Sequence, residues 1–369
     1  MPQGKQSGEQ PSRAGVVVLA DGNGLRAGFG ADGHLLWLES PSASWEFTPS
    51  GPGWLLLTEG SAGALEAVRP GDAVVLSADA VSLRLRVESL QHQDGRRFPA
   101  ALEVHWALRE GRLEGRVVPL ALPTELTLAA LRFPDVGVPY PPGVQWVVPN
   151  DLGRVYREPC REHLDAPDLA GSLRQRAHMQ FMAWVSAAGS LYLDSRDESG
   201  WMRSLLLRVG AGRAQLCIEH LLPRPATGAP AFPPYAVALV PYRGGWYEAA
   251  RLYRPWALRQ RWSRRGPAER RGSYIAEAAC WLWNRGRIEE VVPATTEVAR
   301  RLGLPVALDW YWWHKKPYDT GYPDYFPPRQ GEEAFRTAVR ELQRQGVAVQ
   351  VYTNGMSWDH DEPDWPDAG

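Results

Sequence analysis

The hydrophobic pattern changes its period once, near Gly244, and no single fold type accommodates both halves. Before that point short apolar runs alternate residue by residue and are broken by turn residues. Val16 to Ala20 leads into Asp21-Gly22-Asn23-Gly24, Leu25 to Phe29 into Ala31-Asp32-Gly33, and Leu35 to Leu38 follows. Val74-Val75-Leu76, the series Val81, Leu83, Leu85, Val87, and the series Leu102, Val104, Trp106, Leu108 continue the pattern up to the turn Glu110-Gly111. Strict alternation buries one face and wets the other, and many such strands with regular turns predict a large antiparallel β-sandwich over residues 15–241. Residues 1–14 are polar and are expected to be disordered. Gly22, Gly24, Gly28 and Gly30 superficially suggest a dinucleotide loop, but a further strand follows them instead of a helix, so they predict a hairpin.

After Gly244 the spacing becomes helical. Trp246 to Tyr253 places Trp246, Ala249, Ala250 and Tyr253 on one stripe, Pro255 interrupts it, and an Arg-rich stretch runs from Arg261 to Arg271. We read residues 242–272 as a helical, Arg-rich linker, since a basic run this short is a solvated segment before it is a nucleic-acid site. Residues 273–369 then alternate. A strand is expected over Ile275–Trp283, and a helix over Ile288–Leu302 with Pro293 in its first turn. A second strand is expected over Val306–Trp313. An amphipathic helix follows over Glu332–Gln345, with Phe335, Val339 and Leu342 on one face and Gly346 as its stop. Val347–Tyr352 completes the series as a third strand. Strand and helix in alternation predict a parallel α/β sheet. The chain is therefore expected to be a multi-domain β plus α/β protein.

Bulk properties remove several function classes. The 369 residues suffice for two domains, and a net charge of −1 gives no field to recruit nucleic acid or an anionic membrane. Cys160, Cys217 and Cys280 form no CxxC or metal spacing, so buried free thiols are expected, and no cofactor motif is present. Met1 to Arg13 lacks the apolar core of a signal peptide, from which a cytoplasmic location is expected. The 17 Trp beside 13 Tyr fit either sugar stacking or the packing of a large sandwich.

Parallel sheets place binding groups at the carboxyl ends of their strands. Here those ends carry Trp281, Trp283 and Asn284; Asp309 through His314; and Asn354, Trp358 and Asp359. Aromatic faces beside hydrogen-bonding edges suit a sugar ring, which has apolar faces and a girdle of hydroxyls. Other roles stay open: Asp309 as a helix cap or a partner of Lys315 or Lys316, His314 as a structural histidine, and half of the Trp/Tyr run as core by the strand period. Asp319, Tyr322, Asp324 and Tyr325 lie in a Pro-rich loop where Asp commonly closes turns. The acidic cluster Asp359, Asp361, Glu362, Asp364 and Asp367 matches no Ca²⁺ loop, and no metal is expected.

The segment from Leu304 to Asp359 resembles an uncharacterised family of glycosyl hydrolases through a D-x-x-YP-x-YFP loop and a strand ending in Y-x-N-x-x-x-W-D. The matching residues are His314, Asp319, Tyr322, Pro323, Tyr325, Phe326, Pro327, Tyr352, Asn354, Trp358 and Asp359. In domain order the chain is similar to family 31 and family 36 α-glycosidases and to endo-α-N-acetylgalactosaminidases. The resemblance implies a galactose-mutarotase-like sandwich followed by a TIM (β/α)8 barrel. It also implies O-glycosyl bond hydrolysis by two carboxylates. A barrel needs about 250 residues, and fewer than 100 follow residue 272. We therefore expect the first three β/α units only, in an N-terminal fragment without its catalytic carboxylates. The expected partner is a carbohydrate, contacted by Trp283, Asp309, Trp310, Trp313, His314, Asp319, Tyr325, Asn354, Trp358 and Asp359. Other readings are a non-catalytic carbohydrate-binding protein and a sugar lyase or epimerase.

Overall fold

The computed structural model describes residues 16–48, 53–60, 64–150, 153–159, 171–175, 178–210, 212–223, 229–264, 274–316, 320–355 and 358–362. The chain divides into two compact units between Gln260 and Arg261. The predicted N-terminal disorder, Cys160 and Asp319 lie outside the described residues.

The first unit is antiparallel throughout. A small sheet holds β1 (Val17–Ala20), β2 (Arg26–Phe29), β3 (Leu35–Glu39) and β4 (Ser44–Glu46) in that order. The supposed dinucleotide loop is the β1–β2 hairpin: Asp21 Oδ1 accepts from the Asn23 and Leu25 amides, and Gly22 and Gly24 take positive φ. A second, 15-stranded sheet takes up the rest. Its first strands are β5 (Leu55–Glu59), β6 (Leu65–Pro70), β7 (Ala73–Ala78), β8 (Ser82–His92), β9 (Arg97–Arg109), β10 (Arg112–Ala121) and β11 (Leu128–Pro139). They continue as β12 (Gln145–Val148), β13 (Arg154–Arg157), β14 (Gly171–Gln175), β15 (Phe181–Ser186), β16 (Gly189–Ser195), β17 (Arg203–Gly210), β18 (Arg213–Leu221) and β19 (Val237–Tyr242). The path runs β13-β12-β15-β16-β19-β10-β9-β8-β6-β5-β11-β18-β17-β14, with β7 beside β8.

The alternation read from the sequence is the reason these strands pair. In β8, Leu83, Leu85 and Val87 point inward, and a bulge between Val87 and Ser89 shifts the parity so that Leu90 also does. Each such side chain contributes about 1.5–3 kcal/mol by leaving water. The sheet folds over on itself. Trp106 of β9 and Phe133 of β11 are separated by three strands along the path, yet their rings lie 5.1 Å apart. Gly115 makes this closure possible, since a Cβ there would lie 2.4 Å from Trp106. The Trp184 indole also donates across the core to the Pro139 carbonyl, at 3.1 Å.

The segment expected as a linker belongs largely to this unit. Helix α1 (Trp246–Ala257) buries Ala249, Tyr253 and Trp256 against Phe181, Tyr192 and Tyr242. Its apolar stripe follows i, i+4, i+7 from Ala249, which leaves Trp246 exposed. Pro255 sits in its last turn and does not end it.

The second unit is the predicted parallel sheet, in the order β20 (Cys280–Asn284), β21 (Val306–Trp310), β22 (Val347–Val351). Its helices are α2 (Tyr274–Glu277), α3 (Ile288–Leu302) and α4 (Glu332–Arg344). The first strand begins at Cys280 and not at Ile275, because the run Ala276-Glu277 favours a helical turn. Pro293 falls in the second turn of α3, where it leaves the Glu289 carbonyl without its i+4 amide donor. Gly303 in the left-handed conformation closes α3. Cys217 is a buried thiol, whereas Cys280 is half-exposed. No helix among the described residues is long and apolar enough to cross a membrane.

Candidate functional site

Parallel register sorts the second unit into two faces. Leu282, Leu308 and Val349 share a row, as do Asn284, Trp310 and Val351. The apolar members of these rows cluster with Val291, Val292, Ala338 and Leu342 of α3 and α4. The opposite face carries the rows Trp281, Ala307, Ala348 and Trp283, Asp309, Gln350. Trp281 and Trp283 are 41% and 56% exposed there, and Gln350 is exposed.

Asp309 sits on this face at the carboxyl end of the central strand. It is half-buried, its Oδ1 has no hydrogen-bond partner among the described residues, and burial raises its carboxyl above the ordinary Asp range. The lysines that were candidates to neutralise it are engaged elsewhere: Lys315 pairs with Asp324 at 2.6 Å, and Lys316 pairs with Glu362. An acceptor left idle beside an exposed indole is what a hydroxyl-bearing ring requires.

Aromatic walls surround this point. The Trp283 and Tyr311 rings are 5.3 Å apart, and Tyr311 lies 4.2 Å from Tyr352. Arg285 is clasped between Trp283 and Trp312, its guanidinium carbon 5.1 and 4.7 Å from the ring centroids. Arg285, Tyr311, Trp312 and Gln350 were not among the expected contacts. For Arg285 the period of two supplies the missing signal, since it follows Trp281 and Trp283 at the same parity just past the end of β20.

The remaining expected contacts have other surroundings. Trp310 is 1% exposed, belongs to the helix-facing layer and donates its indole N–H to the Gly286 carbonyl. Trp313 packs on Tyr325 and Phe335 and donates to the Tyr352 carbonyl at 2.7 Å. His314 is buried against Tyr322 and Tyr325. Neither indole offers a free face: Trp310 lies in the buried layer of its strand, which ends there, and Trp313 packs in the loop that follows. The Tyr325 hydroxyl donates to the Asn354 carbonyl, which ties the loop after β21 to the end of β22. Asp359 closes a turn: its Oδ2 accepts from the Gly321 amide at 2.8 Å and its Oδ1 from the Asp361 amide. The bond from Gly321, with help from Asp361, holds this carboxyl below the usual range. Trp358 is 45% exposed. The structure thus brings Trp283 and Asp309 together on one face and gives Trp310, Trp313, His314, Tyr325 and Asp359 to packing and loop closure.

A family model described as a domain of unknown function, DUF6259, matches residues 232–369. A Bacteroides thetaiotaomicron protein named "Putative glycoside hydrolase" is 26% identical over 258 residues, covering 68% of this chain and 36% of its own. A similarly named Monosiga brevicollis protein is 31% identical over 214 residues, covering 48% of this chain and 18% of its own. Among solved structures, the ligand-free α-N-acetylgalactosaminidase NagBb from Bifidobacterium bifidum is similar with a TM-score of 0.60 at 12% identity, over 89% of this chain and 57% of that one. Its Gal-NHAc-DNJ complex gives 0.61 over 94% and 60%. The likeness is glycoside-hydrolase-like. At 12% identity the structural match concerns the fold, and the chain spans about a third or less of the curated relatives it matches.

Proposed function

We propose that this chain is the sandwich and the first three β/α units of a barrel glycoside hydrolase, and that Trp283 and Asp309 form part of its sugar site. The idle Oδ1 of half-buried Asp309, in register with exposed Trp283, carries this reading. A sugar ring lying on the Trp283 indole buries its C–H face. A hydroxyl reaching Asp309 then donates to an oxygen that otherwise bears a desolvation cost, so the bond recovers more than one to a solvated carboxylate does.

The barrel reading is supported by the two outer strands. Parallel strands are normally covered on both faces, yet β20 and β22 are half-exposed along most of their length. Hydrolysis of an O-glycosyl bond takes two carboxylates acting as acid and as nucleophile or base. Asp309 is assigned to binding here, and the catalytic pair to later strands of a longer protein. The test is a panel of aryl glycosides, an α-N-acetylgalactosaminide among them. Binding is followed by quenching of tryptophan fluorescence and hydrolysis by release of the aryl group. The 369-residue chain is expected to bind at least one glycoside without cleaving any. Cleavage by this chain overturns the half-site reading, and absence of all binding overturns the sugar reading.

A further inference from the structure

The outer face of β8, β9 and β10 carries a cleft of about 320 Å³ lined by Ser82, Arg84, His105, Arg109, Glu114 and Arg116. Arg84 and Arg116 stand directly opposite His105 on the two neighbouring strands, so two arginines flank an imidazole in one cross-strand row.

One carboxylate serves the row. Glu103, 8% exposed, accepts from Arg84 Nη2 at 2.8 Å and from His105 Nε2 at 2.7 Å. Those two bonds, Arg84's first, hold its carboxyl below the usual range. Among the described residues Arg116 meets only the imidazole: its Nε and Nη2 lie 3.4 and 3.3 Å from His105 Nδ1. An imidazole carries no negative charge, so His105 does not offset the Arg116 guanidinium. Glu114 is taken by Arg112 at 3.0 Å. Among the described residues Arg109 and Arg116 therefore have no carboxylate partner, and both line the cleft. Glu114 also lines the cleft, so the donors left for a ligand are the Arg109 and Arg116 guanidinium groups, and such groups bind planar or tetrahedral oxyanions through paired N–H donors.

We propose that this cleft is an oxyanion-binding site, taking a carboxylate, sulfate or phosphate group, with Arg116 and Arg109 as its donors. The site lies in the sandwich and does not depend on the sugar site proposed above.

Calorimetric titration of the full chain with sodium sulfate, sodium phosphate and sodium galacturonate, at matched ionic strength, tests it. At least one anion is expected to bind saturably. Arg116→Ala is expected to weaken it at least tenfold, Arg109→Ala to weaken it too, and Arg340→Ala on the exposed face of α4 to leave it unchanged. Preference for galacturonate identifies a uronic acid as the source of the anion; preference for sulfate or phosphate identifies an inorganic or esterified group. No saturable binding, equal binding by Arg116→Ala and Arg109→Ala with native melting temperatures, or methyl galactoside binding as tightly as galacturonate overturns the proposal.

Discussion

Asp309 bears an electrostatic cost in the folded chain. Burial raises its pKa above the ordinary carboxylate value, so the folded state holds the proton more tightly than the unfolded state does. Its contribution to stability is therefore most favourable at low pH and is lost as pH rises through the raised value. Asp309→Asn is expected to raise the melting temperature at pH 7 and to give little at pH 4, while weakening glycoside binding. Calorimetry at both pH values checks this, and a lower melting temperature at pH 7 contradicts it. Asp194 makes the same kind of contribution in the sandwich. It is fully buried, with Tyr192 and Arg196 both donating to Oδ2, and burial pushes its carboxyl up to about 7. Between the ordinary value and about pH 7 the wild-type chain is expected to lose stability as this group ionises. Asp194→Asn should flatten that dependence, as melting temperatures at pH 4, 5.5, 7 and 8 would register; unchanged slopes contradict it.

At the scale of elements, parity decides what each tryptophan does. Trp283 and Trp310 are both near the ends of parallel strands, but Trp283 faces away from α3 and α4 and Trp310 packs among them. Trp310→Ala is expected to cost about 3–5 kcal/mol by opening a core cavity, whereas Trp283→Ala should stay within about 0.5 kcal/mol and reduce sugar binding. Denaturant titration separates the two. Gly115→Ala in β10 drives a methyl into Trp106 and Phe133, and is expected to cost about 1–3 kcal/mol. The strands and their faces were legible because period-two alternation is a local signal: Leu83, Leu85, Val87 and then Leu102, Val104, Trp106 point inward as read. Less was legible where tertiary context intervenes. The strand from Val306 was read through Trp313, but the backbone leaves the sheet after Trp310 and Trp313 packs against Phe335. The helix from Trp246 was read as linker because only the sandwich surface around Phe181 and Tyr192 gives its apolar stripe somewhere to go. The idle oxygen of Asp309 depends on where Lys315 and Lys316 find their partners, which no spacing reveals.

For the whole molecule the two units differ in how their sheets are covered. The sandwich closes over a continuous core of aromatic and aliphatic side chains from both layers. The parallel unit has helices packed on one face, while the opposite face presents Trp281, Trp283, Asp309 and Gln350. Limited proteolysis is expected to cut within residues 261–369 before it cuts the sandwich, and earlier cleavage within β8–β10 would contradict this. The open face of the parallel sheet is proposed to hold a sugar through Asp309 and Trp283. This is tested most directly by calorimetric titration of the wild-type chain, Asp309→Ala and Trp283→Ala with the tightest glycoside of the panel. Saturable wild-type binding that weakens at least tenfold in both variants is the expected result; equal binding by all three would contradict it.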